Sequence, residues 1–154
     1  MAKYHELTIE YSPTKFIHYN AAKIFVYIDE EETFSELKPD LISAFKLRFA
    51  KLEFDNDVEP TYLFLSNAQI YFLNEQAKII INEKPTLYKV DKNVQRDKEK
   101  DELKEIYSEL RAIQSSEFIS ISSLQATEYE MRKRELYIKE KIYTHKLVQR
   151  SSNA

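Results

Sequence analysis

The residues best suited to metal-assisted hydrolysis are Asp29 and the triplet Glu36-Leu37-Lys38. In an Asp…Glu-x-Lys pattern the carboxylates hold Mg²⁺ and the lysine orients the attacking water. Among 26 acidic residues in 154, about three acid-x-Lys triplets arise by chance, so the two that occur here, the other being Glu102-Leu103-Lys104, carry little weight. Asp55-Asn56-Asp57-Val58-Glu59 alternates oxygen ligands but lacks the glycine and distal glutamate of a calcium loop, and reads as a polar turn. His5, His18 and His145 fall on three separate predicted elements, and a zinc site would need all three to converge. Ser-His-acid chemistry is defined by space rather than spacing, and no residue pattern marks an activated serine. No catalytic residue, metal or cofactor is assigned.

A second kind of chemistry is electrostatic. Residues 131–150 hold Arg132, Lys133, Arg134, Lys139, Lys141, Lys146 and Arg150 against Glu135 and Glu140, with Tyr137 and Tyr143 interleaved. A basic helix with stacking rings is one way to hold nucleic acid, and Arg132, Lys133, Arg134, Lys139 and Lys146 are its candidate contacts. Cations at a helix C-terminus also offset the helix dipole, which is the simpler reading. Residues 29–59 are acidic in compensation, so the chain is electrically polar, while its net charge of −3 argues against a general polyanion binder.

What the chain lacks narrows the chemistry further. It has 11 Tyr and 9 Phe but no Gly, Cys or Trp, where about 11 Gly would be usual at this length. A P-loop, a dinucleotide fingerprint, a nucleophile elbow and an EF-hand all need glycine where φ is positive or where backbone approaches a phosphate. Without cysteine there is no disulfide framework, thiolate nucleophile or cysteine zinc site. Abundant Phe, Tyr, Ile, Asn and Lys beside scarce Gly, Ala, Arg and Pro point to a low-GC genome, such as an AT-rich microbe, phage or mobile element. The longest apolar run, Ile24 to Ile28, is far short of a bilayer span, so no membrane contact and a cytoplasmic location are expected.

These residues must be positioned by an α+β fold. His5, Leu7, Ile9 and Tyr11 alternate with Glu6, Thr8 and Glu10 as in a half-buried strand, and Phe16–Tyr19 and Lys23–Ile28 read as two more. Phe34, Leu37, Leu41, Phe45, Phe49 and Leu52 recur at three and four residues, which predicts a helix over 38–54; the competing strand reading rests on the alternation of Phe45 to Phe49. Thr61–Ser66, Gln69–Asn74, Ala77–Asn82 and Thr86–Val90 predict an antiparallel meander, with Asn67 and Asn74 taking left-handed positions that glycine would normally fill. Beyond Asp91, Leu103, Ile106, Tyr107, Leu110 and Ile113 form the stripe of a five-turn amphipathic helix. Ser115 to Ser123 reverses the chain, and a second helix follows from 124 to 149, with residues 151–154 frayed.

That last helix is apolar on two opposed faces. Tyr129, Leu136, Tyr143 and Leu147 share one, while Leu124, Met131, Ile138 and Ile142 share the other. One stripe can pack on the preceding helix; the other must meet the sheet or a second protein. The expected organisation is a β-rich core over 1–90, of five to six antiparallel strands with one inserted helix. A C-terminal antiparallel helical hairpin follows over 91–150. The expected function is non-enzymatic protein binding, as an adaptor, inhibitor or immunity-type protein. Its anchors are Tyr129, Met131, Leu136, Ile138, Ile142, Tyr143 and Leu147 together with an aromatic-rich surface, and its partner is another protein or a homodimer mate. Nucleic-acid binding by the basic helix, and hydrolysis by Asp29 and Glu36, are the alternatives.

Overall fold

The computed structural model describes residues 3–56, 59–94, 99–116 and 123–150. The fold is α+β: eight strands form one mixed sheet, and two helices, α1 (Glu99–Ser116) and α2 (Ser123–Thr144), follow the first seven of them. The strands are β1 (His5–Ser12), β2 (Lys15–Ile28), β3 (Thr33–Glu36), β4 (Leu41–Phe54), β5 (Thr61–Leu73), β6 (Gln76–Ile80), β7 (Tyr88–Val90) and β8 (Leu147–Gln149). The chain divides into two compact units, one of residues 1–89 with 149–154, the other of residues 90–148.

Within the first unit the pairings close on themselves. β1 pairs β2, β2 pairs β4, β4 pairs β5, β5 pairs β6, and β6 returns to β1. In a ring of five strands that alternate in direction, the first and last point the same way. The closing pair is accordingly parallel, with Glu6↔Gln76 through Glu10↔Ile80 in register. The sheet is therefore mixed and closed into a barrel, where the sequence predicted a purely antiparallel one of five to six strands. Closure removes the exposed edges that an open sheet would present. The interior is filled by Leu7 and Ile9, Ala22 and Ile24, Ala50 and Leu52, Leu63, Leu65, Ala68, Ile70 and Phe72, and Ala77 and Ile79. Each fully buried Leu, Ile or Phe contributes about 1.5–3 kcal/mol relative to exposure.

The helix expected over 38–54 is corrected, because Leu41–Phe54 form β4 and no helix is inserted there. Leu41 and Phe45 turn toward the barrel interior at odd positions, whereas Ala50, Leu52 and Phe54 do so at even ones. The helical spacing of Leu41, Phe45, Phe49 and Leu52 joins the two faces of this strand, because Phe49 packs with Phe34 and Phe64 and not with the interior set. Its antiparallel neighbour β5 turns over at the same level, with Leu63 and Leu65 inward before the switch and Ala68, Ile70 and Phe72 after it. Between them stands Asn67, at φ 50°. Thr61–Ser66 and Gln69–Asn74 are thus one continuous strand, and the left-handed Asn67 marks a corner inside it and not a turn between two strands. β2 behaves likewise. Three residues of β2, from Tyr19 to Ala22, span the two steps from Leu7 to His5, so a bulge at Asn20-Ala21 lets Ile17 and Tyr19, then Ala22 and Ile24, face the same core.

The β5–β6 hairpin carries the other expected left-handed asparagine. Leu73↔Gln76 closes a two-residue loop in which Asn74 (φ 54°) and Glu75 (φ 66°) both have positive φ, the geometry for which Asn-Gly is preferred. A glutamate there bears the Cβ penalty of the left-handed region. Glu75→Gly is therefore expected to stabilise the chain by about 0.5–1 kcal/mol, read as a raised midpoint in chemical denaturation. An unchanged or lowered midpoint would show that the turn is not strained.

Candidate protein-binding surface

The second unit is built around the helical pair. Leu136 of α2 is buried with Ile106 and Ile113 of α1, and Leu110, Tyr129 and Tyr143 pack against this trio. Ion pairs and hydrogen bonds knit the helices further. Arg132 donates from Nε and Nη2 to the two carboxylate oxygens of Glu109 at 2.7 and 3.0 Å, and from Nη1 to Glu135 at 2.8 Å. The Tyr107 hydroxyl donates to Glu140 at 3.0 Å. Residue 109 meets 132 while residue 107 meets 140, so the contacts descend α1 as they climb α2 and the helices run antiparallel. The Arg132 guanidinium holds the Glu109 carboxyl below the usual carboxylate range, and the two glutamates raise the Arg132 pKa in turn.

This geometry sorts the residues singled out in the sequence. Tyr129, Leu136 and Tyr143 face α1, so that stripe of α2 is already covered within the unit. Leu147 is not on the helix, which ends at Thr144; it is buried in β8. On the opposed face Met131 is 59% exposed, and Ile138 and Ile142 are half-buried. The side chain of Leu124 lies outside the described residues, as do residues 117–122 of the expected chain reversal, residues 57 and 58 of the polar turn, and the tail from 151.

The basic residues are largely engaged. Arg132 is held by Glu109 and Glu135, Lys133 pairs with Glu130 at 3.1 Å, and Lys141 pairs with Glu140 at 3.0 Å while lying 5.0 Å from the Tyr137 ring centroid. Arg150 belongs to the first unit, where it donates to Thr61 Oγ1 at 2.8 Å and to the Glu59 carbonyl at 3.4 Å. Lys139 and Lys146 are exposed and Arg134 is half-buried.

On the barrel, the side chains that alternate with the core form two different surfaces. Around one end Phe49 is stacked on Phe64 with ring centroids 5.0 Å apart, and Phe34 lies 5.2 Å from Phe49 and 5.1 Å from Tyr27. Phe49 and Tyr27 are buried and Tyr62 and Tyr88 half-buried, so the aromatic-rich set expected at the surface mostly packs on itself. Burial pushes the Tyr62 and Tyr88 hydroxyls up. Elsewhere a row crosses five strands in register, Ile42↔Tyr71↔Lys78↔Thr8↔His18. It borders a depression of about 460 Å³ that Glu6, Leu73 and Gln76 also line. Ile42 is 65% exposed and Leu73 44%, so this face carries apolar groups at the surface.

Residues 6–86 match the UU051 N-terminal domain, just over half of the chain. The chain belongs to this family. The UU051 N-terminal match takes in all but the first residue of β1 and the whole of β2 to β6, hence the five-stranded ring together with β3, and it ends before β7 and both helices. No curated protein matches the chain.

Inside the UU051 N-terminal domain, the strand register does not bring Asp29 and Glu36 together. Asp29 follows the end of β2 at Ile28↔Thr33, while Glu36 sits three ladder steps away opposite Phe25. That separates the two by about 13 Å along the strands, and Glu36 is turned to Lys23 at 3.9 Å. No group of three His, Asp or Glu suited to a metal occurs among the described residues. The histidines are likewise dispersed: His5 stands edge-on to Phe72 at 4.8 Å, and His18 lies against Thr8 at 3.0 Å. Thr8, His18 and Glu6 were not linked by any sequence spacing, since only strand register joins them. His18 Nε2 is 3.7 Å from Glu6, which instead accepts from Gln76 at 3.0 Å. β1 is paired on both edges, with β2 and with β6, and Thr8 lies opposite His18 and Lys78. Thr8–His18 and Glu6–Gln76 are cross-strand hydrogen bonds.

His145, just past α2, has its pKa lowered by burial first and by Lys141 second, against a smaller opposing effect of Glu140. The folded state favours the neutral ring, so its contribution to stability is present above pH about 6.5 and is lost as pH falls toward the lowered folded value. Stability is expected to decline between pH 7.5 and 5.5, and His145→Gln to flatten that slope in denaturant titrations. An identical slope in the variant would remove His145 as its source.

Proposed function

We propose that the chain is a non-enzymatic protein-binding module whose contact surface includes the outward face of α2. The observation that carries this reading is the division of labour on that helix. Its basic residues Arg132, Lys133 and Lys141 are engaged by glutamates of the same unit, while Met131 is left 59% exposed. Cations already held by carboxylates have few counterions to release and gain little from a polyanion. A large, adaptable thioether at the surface is the sort of group on which protein contacts are anchored. Ile42 and Leu73 supply further exposed apolar groups on the barrel.

The test is affinity capture from source cells with the full chain as bait. A discrete protein is expected to be retained, to survive nuclease treatment and to be lost with Met131→Glu. That substitution at an exposed site should leave the fold within about 0.5 kcal/mol. Capture abolished by nuclease would instead favour the nucleic-acid reading, and retention indifferent to Met131→Glu would remove α2 from the surface.

A further inference from the structure

The helical pair carries a groove of about 260 Å³, with Ile106 and Leu136 at its floor. Its two banks differ in sign. Glu102 and Glu105 stand on the α1 side and Lys139 on the α2 side, with the Arg132–Glu109 pair bridging at one end. Glu105 and Lys139 are exposed, and the contact of Tyr107 with Glu140 puts them at nearly the same level along the antiparallel pair.

A surface with one acidic and one basic bank is complementary to itself under one arrangement. Placed face to face about a two-fold axis parallel to the helices, α1 of one copy lies over α2 of the other at the same level, so Glu105 meets Lys139 on both sides of the axis. A two-fold axis across the helices would instead set acidic α1 against acidic α1, which like charges disfavour. Among the described residues the seam of the pair buries Ile106, Ile113 and Leu136, with Leu110, Tyr129 and Tyr143 beside them, and a second pair laid over it would extend this seam into the core of a four-helix bundle.

We infer that the groove between α1 and α2 is the docking site for a second copy of this chain, forming a two-fold four-helix bundle whose register is set by Glu105 and Lys139. This rests on the protein-binding reading and names the partner for one surface. A nucleic acid is a poorer occupant, because it would meet the acidic bank of α1.

The experiment is sedimentation of the full chain at low and high salt. At concentrations of about 50 μM the mass of two chains is expected at low salt, with partial dissociation as salt is raised. Lys139→Glu places a like charge at both symmetry-related contacts and should weaken association by about a hundredfold. Adding Glu105→Lys to that variant exchanges the banks and should restore the dimer. Circular dichroism checks that both exposed substitutions leave the fold in place. A single-chain mass at every concentration overturns the inference, as does a dimer that Lys139→Glu leaves intact or a double variant that stays monomeric. A monomer that still retains a different protein by affinity capture overturns self-association alone and leaves the binding module standing.

Discussion

Phe72→Ala is expected to destabilise the barrel by about 3–5 kcal/mol, the largest effect of any single truncation considered for this chain. Phe72 is 1% exposed, sits on β5 among the interior residues of the closed ring, and receives the edge of the His5 ring at 4.8 Å. Its loss removes apolar burial and leaves a cavity that a closed barrel cannot collapse by sliding one sheet over another. Phe16 offers the matched control. It is 62% exposed at the start of β2, opposite Glu10, and Phe16→Ala should cost no more than about 0.5 kcal/mol. Equal losses for the two variants in urea titration would contradict the assignment of interior and exterior faces.

The second large effect concerns the helical pair. Leu136→Ala is expected to cost about 2–3 kcal/mol, toward the lower end for a buried leucine because the cluster it completes is small. Leu136 is 1% exposed and lies between Ile106 and Ile113, so its removal strips the seam that α1 and α2 share. The change should appear as earlier loss of helical ellipticity on heating. The more exposed Met131 serves as the control, since Met131→Ala leaves that seam untouched. A Leu136→Ala chain that melts like the native one would mean that the seam does not hold the pair.

These two residues also mark where the sequence was legible. Leu136 and its partners repeat at helical intervals on both elements, which made the two helices legible. The alternation of β1 was equally direct, because Leu7 and Ile9 face one interior for the whole strand. The long strands were not, and the reason is physical. β2, β4 and β5 each turn their buried face over midway, so period-two alternation is broken where the barrel bends. In β4 the false helical spacing of Leu41, Phe45, Phe49 and Leu52 mixes the interior face with the aromatic one, to which Phe49 belongs. In β2 and β5 the break produced an apparent gap between strands.

Asn67 was identified as a left-handed residue without its role being visible, since an isolated positive φ suits a turn and a barrel corner alike. Barrel closure could not be read at all. It depends on the parallel pairing of Glu6–Glu10 with Gln76–Ile80, about seventy residues apart, and parallel pairs carry no hairpin signal. The absence of glycine takes on a definite structural meaning here: among the described residues, Glu32, Asp40, Asn67, Asn74, Glu75 and Lys146 stand at positive φ.

Among the candidate functional residues, composition drew attention to α2, and the structure sorts the faces of that helix. Tyr129 and Tyr143 looked like anchors because aromatic groups dominate binding energy, yet they pack on α1. The candidate polyanion contact was read from charge summed along α2 alone. Glu109, which holds Arg132, lies on the other helix and was invisible to that sum.

In-cell photo-cross-linking from position 131 tests the binding-module account most directly. A photoreactive residue in place of Met131, compared with the same residue in place of the exposed Lys104 of α1, reports what touches the outward face of α2. The account predicts a discrete protein adduct from position 131 and none of comparable yield from 104. Adducts to nucleic acid, or an absence of any adduct specific to 131, would contradict it.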